Sequence, residues 1–266
     1  MQLSEFEDIR VDRRDRIGFL TINRPERGNT VRPKTLAEIR AAMDQLIGDH
    51  DIAAVVLRAE GKNFSAGADF EFLDALTRTP VPQISAQIYQ NFQGAARSIY
   101  HCPKPTLALI AGAAVTVGCE LALACDFRIA AEDAVLQESW IKLGLMPPLG
   151  GLFLLPRLIG LGRASQMVLR GLAVKAEEAL RIGLVSEVVA REALAARGDA
   201  LATELTMTAP LAYAAVKAAL HRGLETSMEA EWSANVAHQA VLLSSDDFKE
   251  GLAAVKAKRP AAFRGD

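Results

Sequence analysis

The stretch of residues 106–126 is almost uniformly apolar and holds one ionisable residue in its interior, Glu120. Its first part, residues 106–110, is a short apolar run closed by a glycine, which predicts a strand that is buried on both faces. Two glycines interrupt the pattern, and apolar residues return at helical spacing over residues 119–125. The stretch therefore predicts a strand, a turn and a helix, with Glu120 in the first turn of that helix.

Glu120 is a candidate acid or base because of the surroundings that this pattern predicts for it. The first N–H groups of a helix lack partners within the helix and point at whatever lies in front of them. A carboxylate beside free N–H donors in an apolar setting is typical of an acid/base site. Two simpler interpretations stay open: a solvated glutamate that favours the helix dipole, or a buried carboxylate that caps a backbone group.

A membrane-spanning helix over residues 106–126 is disfavoured, although the stretch approaches the roughly 20 residues that a bilayer requires. The internal glutamate, the two glycines and the lack of a second apolar span argue against it. The first ten residues also lack the apolar core of a signal peptide. We therefore expect a soluble, cytoplasmic protein with no membrane association.

Composition narrows the partners that a chain of 266 residues would take. The net charge is −2 and no basic stripe is present, so nucleic acid is not an expected partner. The three cysteines, Cys102, Cys119 and Cys125, are odd in number and lack metal-ligand spacing. We expect them to be reduced, small apolar residues, and we expect no metal site.

Strand and helix patterns alternate along the first part of the chain and give way to helices alone after residue 191. Strands are predicted at residues 17–23, 53–59, 106–110, 127–130, 134–136 and 184–189. Helices are predicted at residues 33–48, 85–101, 152–159, 163–170 and 175–182, with an irregular segment at residues 77–83. This order predicts an α/β core over residues 1–195 and a helical region over residues 196–266.

The segment Phe64-Ser65-Ala66-Gly67-Ala68-Asp69 follows a predicted strand, and most of its side chains are too small to build a core. Small residues allow the backbone to approach a ligand and to present its N–H groups. A tight turn is the simpler interpretation of this segment taken alone. Together with the turn before Glu120, it suggests two backbone donors that converge on one oxygen, which stabilises an enolate or a tetrahedral oxyanion.

Several further motifs run along most of the chain. They are Asn23-Arg24-Pro25 with Asn29, Gly118-Cys119-Glu120-Leu121-Ala122 with Cys125-Asp126, Leu143-Gly144-Leu145 with Pro147, Gly150-Gly151, Leu155-Pro156-Arg157-Leu158-Ile159-Gly160, Gly183-Leu184-Val185, and Glu250-Gly251 before Lys258-Arg259. Jointly with residues 64–69, these motifs resemble the enoyl-CoA hydratase/isomerase (crotonase) superfamily.

The resemblance implies a fold, an assembly and a substrate. The fold would be a crotonase-like spiral of ββα units with a C-terminal α-helical trimerisation region, assembled as a homotrimer or a dimer of trimers. The substrate would be an acyl-CoA thioester, and no cofactor beyond its CoA moiety is implied. The thioester oxygen would lie between the backbone N–H groups of Ala68 and Val117, and Glu120 matches the first of two catalytic glutamates.

The sequence departs from the family pattern at two places. Val117 stands where many hydratases have glycine, and a β-branched residue suits the turn only if its φ angle is negative. The second catalytic glutamate is replaced by Trp140, which does not exchange protons at neutral pH. If the segment is extended, Glu138 shares a face with Trp140 and is a candidate substitute; the simpler interpretation is a surface or ion-paired glutamate.

The resemblance also places ligand contacts. The CoA moiety would meet Arg27, Ser65, Ala66, Ala68, Asp69, Phe70 and Lys258, with Arg24 and Lys62 as further candidates for its phosphates. Trp140, Phe72, Leu73 and Pro148 would line the acyl pocket. The histidines His50, His101, His221 and His238 fall in no catalytic spacing, and we interpret them as structural or surface residues.

The function that these features favour is hydration of a 2-enoyl-CoA, with Glu120 handling the water or the α-proton. Replacement of one catalytic carboxylate keeps other reactions open. These are 3,2-enoyl-CoA isomerisation, another single-carboxylate reaction such as decarboxylation or hydrolysis, and binding of CoA without turnover.

Overall fold

The computed structural model describes residues 5–266. Residues 1–4 belong to the N-terminal stretch interpreted above as lacking a signal peptide, and they lie outside the described residues. Along the described chain the strands are β1 (Ile9–Arg14), β2 (Ile17–Ile22), β3 (Ala54–Ala59), β4 (Thr106–Ile110), β5 (Ala113–Val115), β6 (Phe127–Ala131), β7 (Val135–Gln137), β8 (Ala173–Lys175) and β9 (Glu187–Val189).

The helices of the described chain fall between and after these strands. They are α1 (Pro33–Gly48), α2 (Phe70–Leu76), α3 (Val81–Gln87), α4 (Gln93–Tyr100), α5 (Val117–Leu123), α6 (Gly151–Ile159), α7 (Leu161–Arg170), α8 (Ala176–Arg181), α9 (Leu194–Leu205), α10 (Pro210–Gly223), α11 (Met228–Ser244) and α12 (Asp246–Ala257). A π-helical turn, Ile88–Phe92, joins α3 to α4, and a 3₁₀ turn, Trp140–Leu143, follows β7.

Two sheets organise the core. The larger has the order β1-β2-β3-β4-β6-β9, in which β1 and β2 are antiparallel and the remaining neighbours are parallel. The smaller has the order β5-β7-β8, with β5 and β7 parallel. Parallel neighbours need crossover connections, which the intervening helices supply. The chain is thus an α/β protein, as predicted.

The central strands read as apolar runs because helices cover both faces of the larger sheet. Val55 and Leu57 of β3 face the main core with Leu36, Ile39 and Met43 of α1. Val56 points to the opposite face and packs in a second cluster with Leu194 and Ala202 of α9. Successive strand residues therefore have different helices as neighbours, which is the two-sided burial predicted for β4 as well.

Some elements were not predicted, and each has a local reason. Strand β1 is largely charged (IRVDRR) and pairs only with β2, so it lacks an apolar run. Strands β5 and β8 have three residues each, too few for a recognisable alternation. The segment predicted to be irregular, residues 77–83, is helical from Val81 onward, because Pro80 is the N-cap and Pro82 lies in the first turn, where a residue without an N–H group costs no hydrogen bond within the helix.

The last helices extend the α/β part of the chain. Helix α9 packs on the larger sheet. It runs from Leu194 to Leu205, and the boundary predicted at residue 195 lies within it. Asp126 fastens α10 to the sheet: its Oδ2 accepts hydrogen bonds from the backbone N–H of Thr106 (2.9 Å), Nζ of Lys217 (2.8 Å) and the hydroxyl of Tyr213 (3.2 Å). Among residues 5–266, no helix is both long and apolar enough to cross a bilayer.

Candidate active site

Two loops that carry candidate donors are joined by a short backbone ladder. The N–H of Ser65 donates to the carbonyl of Ala113 (2.8 Å), and the N–H of Val115 donates to the carbonyl of Ser65 (2.9 Å). The first loop also forms a parallel bridge from Ala68 to Val31. The segment before Asp69 and the segment before α5 therefore run side by side, which brings together the two regions that the sequence singled out.

The backbone amides of Ala68 and Val117 are available at the ends of these segments. Val117 is the first residue of α5, so its N–H has no carbonyl one turn earlier in the helix. The N–H of Ala68 donates to no carbonyl in the described part of the chain. Both residues are buried: Val117 is 0% exposed and Ala68 is 7% exposed. They have the free donors that an oxyanion site requires.

The unusual backbone geometry lies at Thr116, one residue before Val117. Thr116 has φ 46° and ψ −112°, a conformation that β-branched residues rarely adopt. Val117 is not among the residues with positive φ, so this position accommodates a β-branched residue, as the sequence requires. Sequence reasoning examined Val117 and missed Thr116, whose β-branched side chain within a glycine-punctuated turn was the available signal.

Two glycines allow the loops to approach closely. A Cβ atom on Gly118 would lie 2.5 Å from Cβ of Ser65. Gly67 has φ 106°, and a Cβ there would lie 2.4 Å from Oγ1 of Thr116. Neither position has room for a side chain, so the distance between the two loops depends on glycine at both.

The carboxyl group of Glu120 is buried and held by three donors. Its Oε2 accepts the N–H groups of Leu149 (2.8 Å) and Gly151 (2.8 Å), and its Oε1 accepts the indole N–H of Trp140 (3.2 Å). Gly151 begins α6, so the carboxylate lies at a helix N-terminus. Residues 149–151 were matched to the family by their glycines, and their contact with Glu120 depends on tertiary structure.

Burial sets the titration of Glu120. Loss of hydration raises its pKa from 4.5 to about 7, while hydrogen bonds from the amides of Gly151 and Leu149 and from the indole of Trp140 lower it. An acid with a pKa near neutrality exchanges protons in both directions at cellular pH. This is the property required of an acid/base residue.

Glu138 has a different environment from the one that its sequence position suggested. The segment is not extended, because Ser139 has φ −100° and ψ 15° and Trp140 begins a 3₁₀ turn. Glu138 is 0% exposed, and neither carboxyl oxygen has a hydrogen-bond partner among the described residues. Burial and the nearby charge of Glu120 raise its pKa well above 4.5. Glu138 is thus a buried carboxyl group whose surroundings favour the neutral form, rather than a surface or ion-paired glutamate.

The predicted acyl-pocket residues separate into two groups. Trp140, Leu73 and Pro148 line a cavity of about 920 Å³ beside α2, α3 and the loop that follows Trp140. Phe72 does not line it, and its ring stacks on Phe92 with centroids 5.7 Å apart. Helix periodicity explains this difference, since Phe72 and Leu73 are adjacent and project from different sides of α2.

Several predicted CoA contacts are engaged within the protein. Ser65 is buried and its Oγ accepts the N–H of Gly67 (3.1 Å). Asp69 caps α2 by accepting the N–H of Glu71 (3.0 Å) and pairs with Arg24 (3.3 Å). Arg24 is therefore not a free cation, and these residues shape the loop.

The remaining CoA candidates are exposed. Arg27 pairs loosely with Glu71 (3.3 Å), next to Phe70, which is 72% exposed. Ala66 and Lys62 are exposed on the first loop, and Lys258 is exposed just beyond α12. Arg27, Phe70 and Ala66 thus have surface available near the N-terminus of α2.

Comparison with known proteins agrees with this geometry. Residues 12–266 match the family described as enoyl-CoA hydratase/isomerase. The chain is 34% identical to the crotonyl-CoA hydratase of Syntrophomonas wolfei, over 97% of this chain and 98% of the relative. It is 30% identical to the short-chain-enoyl-CoA hydratase of Clostridium acetobutylicum, over 96% and 97%.

Solved structures agree with the fold. The enoyl-CoA hydratase from Bacillus anthracis superposes with a TM-score of 0.91 at 30% identity, covering 98% of this chain and all (100%) of the other. An enoyl-CoA hydratase from Mycobacterium smegmatis gives a TM-score of 0.88 at 30% identity, covering 97% and 99%. The crotonase-like fold predicted from the motifs is confirmed. With the fold, the paired loops and the full-length match all in agreement, this chain belongs to the enoyl-CoA hydratase/isomerase family.

Proposed function

We propose that this protein catalyses the reversible addition of water to a 2-enoyl-CoA. The observation that carries the proposal is the position of Glu120 one helical turn after Val117 at the start of α5. One short helix thus supplies both a free amide donor and a buried carboxyl with a pKa of about 7. The names of the relatives, which include crotonyl-CoA hydratase, support the same reaction.

In this proposal the thioester oxygen accepts hydrogen bonds from the N–H groups of Ala68 and Val117. These donors stabilise the negative charge that develops on that oxygen when water adds to the β-carbon. The ionised Glu120 takes a proton from the attacking water as the new C–O bond forms. The same carboxyl then returns a proton to the α-carbon, so one acid/base group serves both steps.

Trp140 has a positioning role in this scheme. It stands where the family resemblance implies the second glutamate, and its indole N–H holds Oε1 of Glu120. Glu138 does not line the cavity, and both of its carboxyl oxygens are buried without a hydrogen-bond partner among the described residues. The chemistry moves only protons and water and calls for no cofactor beyond the CoA moiety. We place that moiety near Arg27, Ala66 and Phe70, with Lys258 as a further contact.

A second candidate is 3,2-enoyl-CoA isomerisation. The observation that favours it is that Trp140 stands at the position of the second glutamate and leaves Glu120 as the proposed base, because one base suffices to move a proton between two carbons. An absorbance assay separates the reactions: hydration removes the conjugated-thioester band of a 2-enoyl-CoA, whereas isomerisation creates it from a 3-enoyl-CoA. CoA binding with neither signal would instead favour decarboxylation, hydrolysis or a protein without turnover, and would overturn the main proposal.

We also propose that the chain assembles as a homotrimer or a dimer of trimers. Helix α11 exposes large apolar side chains, among them Trp232 (60%), Val236 (72%) and Val241 (63%). Apolar patches of this kind are typical of interfaces. Light scattering coupled to size-exclusion chromatography gives the mass in solution, and a monomer at micromolar concentration would contradict the assembly.

The three cysteines are free and buried, which supports the proposed cytoplasmic location.

A further inference from the structure

The cavity of about 920 Å³ beside α2 and α3 lies next to the proposed catalytic carboxyl, with Trp140 between the two. Trp140 connects the two: its indole N–H donates to Oε1 of Glu120, and its ring forms part of the cavity wall. The cavity therefore borders the site at Trp140, which is the side from which the acyl chain of a thioester held at Ala68 and Val117 would enter it.

The wall of the cavity is apolar. Leucine, isoleucine and phenylalanine side chains from α2, α3 and the π-helical turn form one side, and the segment from Leu143 to Pro148 forms the other. Within this segment Leu143 (49%), Leu145 (46%) and Met146 (67%) are exposed although they line the cavity. A bound apolar group would cover them and remove apolar surface from water.

The polar side chains Asp74, Thr77 and Gln93 in the wall already have partners within the protein. Asp74 pairs with Arg78 (2.6 Å), and the hydroxyl of Thr77 donates to the carbonyl of Asp74 (2.7 Å). Oε1 of Gln93 accepts a hydrogen bond from Arg97 (3.1 Å). A hydroxyl or carboxylate on the acyl chain would lose its hydration and compete with these existing contacts, which disfavours polar substituents.

The size of the cavity exceeds the needs of a short chain. Small-molecule pockets span roughly 300–1,000 Å³, so this cavity lies near the upper end. A crotonyl group has four carbons, each about the size of a water molecule at ~30 Å³, and would leave most of the space empty. Each further buried methylene strengthens binding about fourfold.

We propose that this cavity holds a bulky, wholly apolar acyl group, so that the preferred substrates are CoA thioesters whose acyl chains have about eight carbons or more. The reaction part of this inference rests on the proposed function, whereas the binding part does not. It differs from the four-carbon substrate that the name of the crotonyl-CoA hydratase relative suggests.

The binding test uses saturated thioesters, which cannot be hydrated. Calorimetry with CoA, butyryl-CoA and decanoyl-CoA measures the contribution of the acyl chain separately from turnover. We expect decanoyl-CoA to bind at least tenfold more tightly than butyryl-CoA. Equal affinities for the two thioesters would overturn the inference. Tighter binding of decanoyl-CoA without hydration of any 2-enoyl-CoA would refute the proposed function and leave the inference standing.

Two variants on α3 localise the effect. Ile84→Trp places a large ring on a residue that lines the cavity, and should reduce the preference for decanoyl-CoA tenfold or more while changing butyryl-CoA binding little. Val81→Trp is the matched control, because Val81 is 72% exposed on the same helix and does not line the cavity. Equal effects of the two variants would contradict this placement. If Ile84→Trp fails to fold, Leu73→Trp on α2 tests the same wall.

Discussion

The indole N–H of Trp140 donates a hydrogen bond of 3.2 Å to Oε1 of Glu120. Both side chains are buried, with exposures of 3% and 1%. The residue that replaces the expected second glutamate is therefore a donor to the glutamate that is present. A donor stabilises the ionised carboxylate, so Trp140 lowers the pKa that burial raises.

Replacement of Trp140 by phenylalanine tests this relationship. Trp140→Phe removes the donor and should raise the pKa of Glu120 above its value of about 7. Ionisation of the carboxyl strengthens such a hydrogen bond by about 1 kcal/mol, which corresponds to a shift of up to roughly one pH unit. The acidic limb of the pH–rate profile should move upward by that amount. Tyr89→Phe, which removes a hydroxyl donor from a side chain that is 61% exposed, is the control, and an unmoved limb in Trp140→Phe would contradict the assignment.

Replacement of Glu120 by glutamine tests the acid/base role. Glu120→Gln should lower kcat by about 10²–10⁴-fold, because glutamine cannot accept a proton at neutral pH. It should also lower the free energy of unfolding by about 1–3 kcal/mol. One carboxylate oxygen becomes an amide NH₂, which cannot accept a hydrogen bond, so a buried N–H donor loses its partner. Steady-state kinetics and urea denaturation measure the two effects. Glu177→Gln, an exposed change on α8, should alter neither, and full activity in Glu120→Gln would end the proposed mechanism.

Glu138 should make the stability of the protein depend on pH. Its folded-state pKa lies well above 4.5, so the folded protein keeps a proton that the unfolded chain releases. The free energy of unfolding therefore falls as the pH rises above about 4.5 towards the folded pKa. Glu138→Gln stays neutral and lacks this fall, so its stability relative to the parent should be greater near pH 8 than near pH 5.

Chemical denaturation of both proteins at several pH values measures this difference. Glu177→Gln again serves as the exposed control. A gap between Glu138→Gln and the parent protein that stays constant with pH would show that Glu138 ionises alike in the folded and unfolded states, contrary to its burial.

Thr116 should carry backbone strain. A residue held in an unfavourable φ/ψ region costs about 1–3 kcal/mol, and glycine relieves that cost while losing about 1 kcal/mol through greater freedom in the unfolded chain. Thr116→Gly should therefore be as stable as the parent protein or more so. Val117→Gly is the contrast: Val117 has no positive φ and is fully buried, so it should lose at least 1 kcal/mol. Thermal denaturation ranks the variants, and a large loss in Thr116→Gly would refute the strain.

The sequence determined the class of fold and the position of the main elements. The apolar run of β4 lies where it was predicted, because a strand covered on both faces needs apolar residues at every position. Glycine at positions 67 and 118 was recognisable for a similar reason, since only a residue without a side chain permits the close contact found there. Burial of a strand and close contact at a glycine each restrict which residue types can stand at a given position, so the sequence itself shows them.

Tertiary structure alone decided the state of the two glutamates. Glu120 stands among apolar residues in the sequence and Glu138 lies between Gln137 and Ser139, yet Glu120 accepts three hydrogen bonds and Glu138 accepts none among the described residues. The donors to Glu120 come from residues 20 to 31 positions away, Trp140, Leu149 and Gly151. Ionisation depends on desolvation and on such distant donors, which are set only when the loop before α6 packs over α5.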